Sequence, residues 1–337
     1  MDEIKPKRVT SVLILVSPFL VGWAALFIGA YGIAPLDILR FFYEALFNPS
    51  APDVPEKAIL FDIRLPRLAL AGLVGIALAG SGVTLQGIFR NPLVDPFILG
   101  VSAGAAFGCA LSVGFAPSLP VQFMAFAFGM LSVVLTSTVA RTQGEVSRLP
   151  LILSGVVISA FFTAMVSIVK FLVDPHKLQS IVFWLMGSFA MADWRLAGVA
   201  ALGITAGLLP VFIMRWRLNV MSMGEEEAKT LGIHVRRERV IFVAASTLMV
   251  SVAVSVSGII GWVGLMVPHL VRMVAGPDHR SLVPLSMAGG AAFMIFADTM
   301  ARSVSNFDIP VGIITAVIGA PFFVYLMKRG GSESWGR

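Results

Sequence analysis

The sequence predicts an all-α polytopic membrane protein of about ten transmembrane helices, and three observations carry that prediction. Hydrophobic residues make up 57% of the chain and charged ones 13%, with a mean hydropathy of +0.89, far more apolar than an average soluble domain. Apolar runs close to the ~20 residues that cross a bilayer recur along the whole length. The charges gather between those runs, most densely from Arg215 to Arg239. We therefore treat residues 1–337 as a single transmembrane domain, with that charged stretch, about 215–239, as its polar island.

The N-terminus carries Lys5, Lys7 and Arg8 before an apolar run that is too long for the 7 to 15 residues of a signal h-region. It reads as a retained first span. The runs lie at about 9–32, 66–89, 93–115, 120–140, 149–173, 195–214, 239–257, 259–275, 281–303 and 309–328. When alternate loops are assigned to opposite sides, most Lys and Arg fall with the two termini and the island. Arg40, Lys57, Arg64, Arg67, Lys170, Lys177, Arg195 and Arg302 fall on the other side. The positive-inside rule then makes the island and both termini cytoplasmic, in a multi-pass protein of the inner, or cytoplasmic, membrane.

Small residues indicate how the helices meet. Gly100, Gly104 and Gly108 recur every fourth residue, and Gly72, Gly75, Ala79 and Gly80 crowd the second span, a pattern that permits close backbone approach in lipid. The lone Cys109 excludes an internal disulfide and reads as a small packing residue. Spans almost free of ionisable groups argue against an ion path or proton relay. Asp298 and Arg302, spaced i, i+4, read as a mutual pair, and His269 as a hydrogen-bonded structural residue. No HExxH, GxSxG or Walker A sequence occurs, so the chain offers no nucleotide site of its own. The net charge of +6 is explained by topology, since no aromatic residues interleave with a basic stripe as nucleic-acid binding requires.

Within the island, Glu225 to Gly232 reads as a short helix-forming run closed by glycine, with Ala228 and Leu231 on one face. A polar segment of this size on a membrane protein invites a soluble partner. A transporter with neither relay charges nor its own ATPase could be driven through it. A secondary transporter and a membrane sensor or scaffold remain the competing classes.

Four segments carry a family resemblance. RLPRLALAGLVGIALAGSGVTLQGIFRNPLVDPFILGVSAGA (Arg64 to Ala105), EEEAKTLGI, GIIGWVGLMVPHLVRMVAGPDHR (Gly258 to Arg280) and DIPVGIITAVIGAPFFVYLM (Asp308 to Met327) occur in this order. Together they resemble the permeases of iron-chelate, haem and vitamin B12 ABC importers, the FecCD or BtuC-like family. The resemblance implies a BtuC-like bundle in which two copies form a homodimeric pathway. The implied partners are a second copy of the chain, two ABC ATPase subunits, a periplasmic or lipid-anchored substrate-binding protein and membrane lipid, with no nucleic acid. It implies no cofactor on this subunit, with ATP and Mg held by the ATPase, and a ferric chelate, haem, cobalamin or oxyanion as cargo.

The resemblance also assigns residues. Met221 to Gly232 should form two short helices in a groove of the ATPase, with Met221, Glu225, Glu226, Glu227, Ala228, Leu231 and Gly232 at the contact. Arg64, Arg67 and Arg302 should meet glutamates of the binding protein, a role that forked, permanently charged guanidinium groups suit. Asn91 and Leu93 should form one cytoplasmic constriction and Val146 and Ser147 another. Ser154, Ser159, Thr163 and Ser167 should contribute to the pathway lining, and Gln179 to Ala190 should form a short helix on the outer rim.

Overall fold

The computed structural model describes residues 4–29, 31–48, 54–142, 145–146, 148–304 and 307–329. The chain is a helical bundle. Helices α1 (Ile4–Phe27), α2 (Pro35–Phe47) and α3 (Pro55–Ala58) lead through a π-helical turn, Ile59–Arg64, into α4 (Leu65–Phe89). A 3₁₀ turn, Pro96–Leu99, precedes α5 (Val101–Phe115), followed by α6 (Val121–Val139), α7 (Arg148–Leu172) and α8 (Pro175–Leu185). Then come α9 (Trp194–Met223), α10 (Glu225–Thr230), α11 (Val235–Ser257), α12 (Val263–Ala275), α13 (His279–Ala301) and α14 (Val311–Arg329). Seven helical stretches are long and apolar enough to cross a membrane, and α5, α12 and α14 are shorter apolar helices. Their sum matches the ten runs read from the sequence.

α4, α11 and α13 form the buried centre. Glycine makes this possible: Gly75 lies against the Gly290 carbonyl, and Gly82 against that of Gly264, with no room for a Cβ at either. Gly104 and Gly108 bring α5 equally close to the α6 backbone at Phe128 and Met124. The small-residue faces are thus packing surfaces, as close van der Waals contact in lipid requires. Cys109 is buried among them.

Several boundaries differ from expectation, each for a local reason. The second span continues backwards to Pro55, because Pro66 has no N–H to give to the preceding turn. The helix widens there into a π turn in which the Leu65 N–H reaches the Leu60 carbonyl. α2 was not read as a helix; it buries Ile38 and Phe41 and exposes Leu36 and Leu39. The rim helix runs over Pro175–Leu185 rather than 179–190, since Asp174 caps its start by accepting the His176 and Lys177 amides and Gly187, at φ +71°, follows its end. α9 runs to Met223, past the expected end at 214, because Arg215 to Met223 holds no Gly or Pro; the charges end the membrane crossing but not the helix.

α5 and α12 are too short to span alone at ~1.5 Å per residue. Gly100 (φ +89°) opens α5, while Gly258 (φ +70°) and Trp262 (φ +75°) interrupt the chain between α11 and α12. Non-helical backbone at membrane depth is tolerated where protein buries it or it lines a cavity. Ile260 is buried, and Ile259 lines the cavity described below.

Candidate functional site

The polar island becomes a compact elbow at the end of α9. Gly224 ends that helix, and α10 follows at once with Glu225, Glu226 and Glu227 in its first turn, where carboxylates favour the helix dipole. Met221, Ala228 and Ile233 turn inward and join the hydrophobic core. Met221 and Ala228 therefore hold the segment from beneath rather than presenting themselves to a partner. Glu226, Glu227, Leu231 and Gly232 remain exposed. Arg239 reaches Glu225 at 2.6 Å, Lys229 reaches Glu226 at 2.8 Å, and Arg217 pairs with Glu238. Gly232 adopts φ +78° with open space around it, so its conformation, not crowding, demands glycine. The expected pair of short helices is a single one, α10, because its predecessor is continuous with α9.

The elbow is tied to two neighbours. Arg90, left-handed at φ 53°, closes α4, and its Nη2 donates to the Met223 carbonyl at 2.9 Å. The loop that follows holds Asn91, whose Oδ1 accepts the Leu93 amide at 2.9 Å; both residues are exposed. The other tie is Asn219, which donates to Asp278 at 2.6 Å and accepts the His279 amide at 2.8 Å. The Arg280 amide, then the Asn219 amide group, hold the Asp278 carboxyl below its usual range. Val146 lies in a two-residue antiparallel pairing opposite Arg141, and Ser147 lies outside the described residues.

A cavity of about 320 Å³ opens beside α7, lined by Ser102, Ser159, Thr163, Ser167, Lys170 and Ile259 among others. Three of the four expected lining residues meet there. Ser154 does not; it is buried elsewhere along α7. The Ser167 hydroxyl donates to the Thr163 carbonyl at 3.0 Å, a bond within its own helix. Lys170 is the one charged residue among those lining the cavity. Its position near the end of its apolar run gives it the sequence signature of a loop charge.

At the opposite end of the bundle from the elbow, Arg64, Arg67 and Arg302 converge, but not as free forks. Arg64 donates to the Leu26 carbonyl at 2.5 Å and to that of Tyr31. Arg67 Nε lies 2.9 and 3.0 Å from the two Asp298 oxygens, and its Nη1 2.8 Å from Asp308. Arg302 donates to the Ala25 carbonyl at 2.7 Å. Its expected pairing with Asp298 is long, at 3.9 Å, because the fully buried carboxylate takes the bidentate partner that α4 supplies. These groups bind α1, α4, α13 and the segment before α14 together.

Residues 14–329 match the model of the FecCD transport family. The chain belongs to the FecCD transport family. Among its relatives, the molybdate import system permease protein MolB of Haemophilus influenzae is 44% identical over 83% of this chain and 84% of its own. The cobalamin import system permease protein BtuC of Halobacterium salinarum is 42% identical over 88% of this chain and 80% of its own. A solved inward-facing ABC transporter of the metal-chelate type shares 37% identity with this FecCD chain at a TM-score of 0.83, over 96% of this chain and 99% of that one. This member is thus an integral-membrane permease subunit of the ABC-importer class.

Proposed function

We propose that the chain forms half of the pathway of a binding-protein-dependent ABC importer. It pairs with a second copy and is driven by two ATPase subunits, which hold the ATP and Mg. The elbow faces the cytoplasm with both termini, at the inner membrane. The observation that carries this reading is the Arg90 to Met223 bond: force applied to α10 reaches the Asn91–Leu93 loop through one hydrogen bond and a continuous α9. Glu226, Glu227, Leu231 and Gly232 form the contact surface, and Glu225 with Arg239 braces it. The cargo class follows the relatives, whose names specify molybdate and cobalamin import; an oxyanion or metal chelate is carried inward.

Reconstituted vesicles test the proposal. Uptake should require the cognate ATPase, hydrolysable ATP and the binding protein; uptake that persists without the ATPase and collapses with an uncoupler would instead establish a secondary transporter. The pairing of Arg67 with Asp298 and Asp308 favours the ABC reading, because it leaves these charges engaged with one another rather than strung along a route.

Docking of the binding protein is assigned to the surface above Arg64, Arg67 and Arg302. An incoming carboxylate competes with Asp308, whose side chain is 40% exposed, for Arg67. Asp308→Asn should therefore tighten docking several-fold, and unchanged affinity would remove Arg67 from the interface.

A further inference from the structure

A second concavity lies on the flank of the bundle at the elbow's end, away from the hydroxyl-lined cavity. Its volume is about 260 Å³, and it is walled by apolar side chains of α6, α7 and α11, including Val133, Val134, Leu151, Val240 and Val243. Val134 and Val240 are more than half exposed, so the wall opens to the surroundings of the helices. One end is closed by three arginines: Arg141 just beyond α6, and Arg236 and Arg239 in the first two turns of α11. No Asp or Glu is among the lining residues that the structure describes. Arg239 is engaged by Glu225, whereas Arg141 and Arg236 are exposed.

These features specify an amphiphile. From Arg236 the lining continues along α11 to Thr247, about 16 Å at the helical rise, a length suited to an extended acyl chain. The arginine end offers two exposed guanidinium groups at the level where the spans emerge, and guanidinium pairs with phosphate through forked, charge-assisted bonds. Basic pockets between transmembrane helices hold anionic headgroups by this chemistry. A free anion would use the arginines and leave the apolar wall uncovered; a zwitterionic lipid would leave the positive charge unbalanced.

We infer that this groove is a binding site for an anionic phospholipid. Its phosphate is held by Arg141 and Arg236, and one chain lies along α6 and α11. Through Arg239 and Glu225 the site adjoins the elbow, but occupancy of the groove does not depend on the transport proposal.

The test uses the purified full-length chain in detergent, probed by native mass spectrometry with phosphatidylglycerol and phosphatidylcholine added separately. Phosphatidylglycerol should be retained preferentially, and the R141Q/R236Q double variant should lower its affinity about tenfold while phosphatidylcholine is unaffected. V134W, which fills the wall and keeps the charge, should lower retention of phosphatidylglycerol as well. Both variants change exposed positions, and an unchanged melting temperature shows that they fold. Equal retention of the two lipids, or wild-type binding by the double variant, overturns the site. Displacement of phosphatidylglycerol by millimolar inorganic phosphate overturns the lipid assignment, as does its loss when the chain assembles with an ATPase or a second copy.

Discussion

α4 and α7 each have 25 residues, and both lie in strongly apolar spans. Within the chain they have opposite fates: about three quarters of the α4 span is buried against little more than a quarter of that of α7. Hydropathy places a helix in the membrane; residue size decides whether protein or something else covers it. α4 carries glycine where α12 and α13 press on it. α7 shows Val156, Val157, Phe161 and Phe171 outwards and turns Ser159, Thr163 and Ser167 to a cavity. The first helix is scaffold, and the second is available to lipid, cargo or another copy.

The sharpest way to break this contrast is to place the same bulk on both helices. Gly75→Leu forces side chain into the Gly290 backbone and should cost about 3 kcal/mol or more, at the upper range of overpacking effects. Val156→Leu on α7 should shift stability by less than about 0.5 kcal/mol, as exposed substitutions do. Thermal unfolding in a single detergent compares them, and equal losses would end the scaffold reading of α4.

Comparable in size is the effect at the ion pair that locks the end of α4 remote from the elbow. Arg67→Leu strips buried Asp298 of its bidentate partner, leaving it only the long contact to Arg302, and should destabilise the protein by about 3–5 kcal/mol. Arg67→Leu combined with Asp298→Leu should recover most of that loss, because the cost lies in the orphaned charge rather than in the missing bond. A double variant as unstable as the single one would show that the pair itself is indispensable.

How much of this was legible beforehand follows from the same physics. Long apolar runs, glycine faces and the polar island are written in composition and spacing, so the ten-helix bundle and the Glu225–Gly232 helix could be read directly. What escaped depends on contacts distant in sequence. Asp298 faces Arg67 across more than 200 residues, and local i, i+4 spacing marks only its longer contact, to Arg302 at 3.9 Å. Arg90 meeting Met223 and Lys170 entering the cavity leave no local pattern at all. α2, at 13 residues, is too short to stand out as an apolar run of crossing length. The inward turn of Met221 and Ala228 is a further case: the motif marks a segment but not which of its faces is buried.

A substitution at the elbow separates folding from coupling. Gly232→Val places a β-branched residue at φ +78°, at a local cost of about 1–2 kcal/mol. Nothing crowds the site, so the bundle should still assemble while α10 shifts. ATPase activity in the reconstituted complex should then lose its dependence on loaded binding protein, with little change in melting temperature. Full coupling in the variant would move the contact away from Gly232.

The smallest expected effect on stability falls on α7 and sharpens its role most. Lys170 brings a positive charge to a cavity otherwise lined by hydroxyl and apolar groups. Hydroxyls orient cargo weakly and without preference for charge, whereas an ammonium adds an attraction that an anion feels and a neutral chelate does not. Lys170→Met removes the ammonium while keeping an unbranched side chain of nearly the same length, and should alter stability by less than about 0.5 kcal/mol. ATP-dependent uptake of an anionic cargo should slow several-fold, and raising the salt concentration should slow the wild type towards the variant, because mobile ions screen the same attraction. If Lys170→Met transports at the wild-type rate at every ionic strength, the charge belongs to the fold's surface and α7 lines the route through its hydroxyls alone.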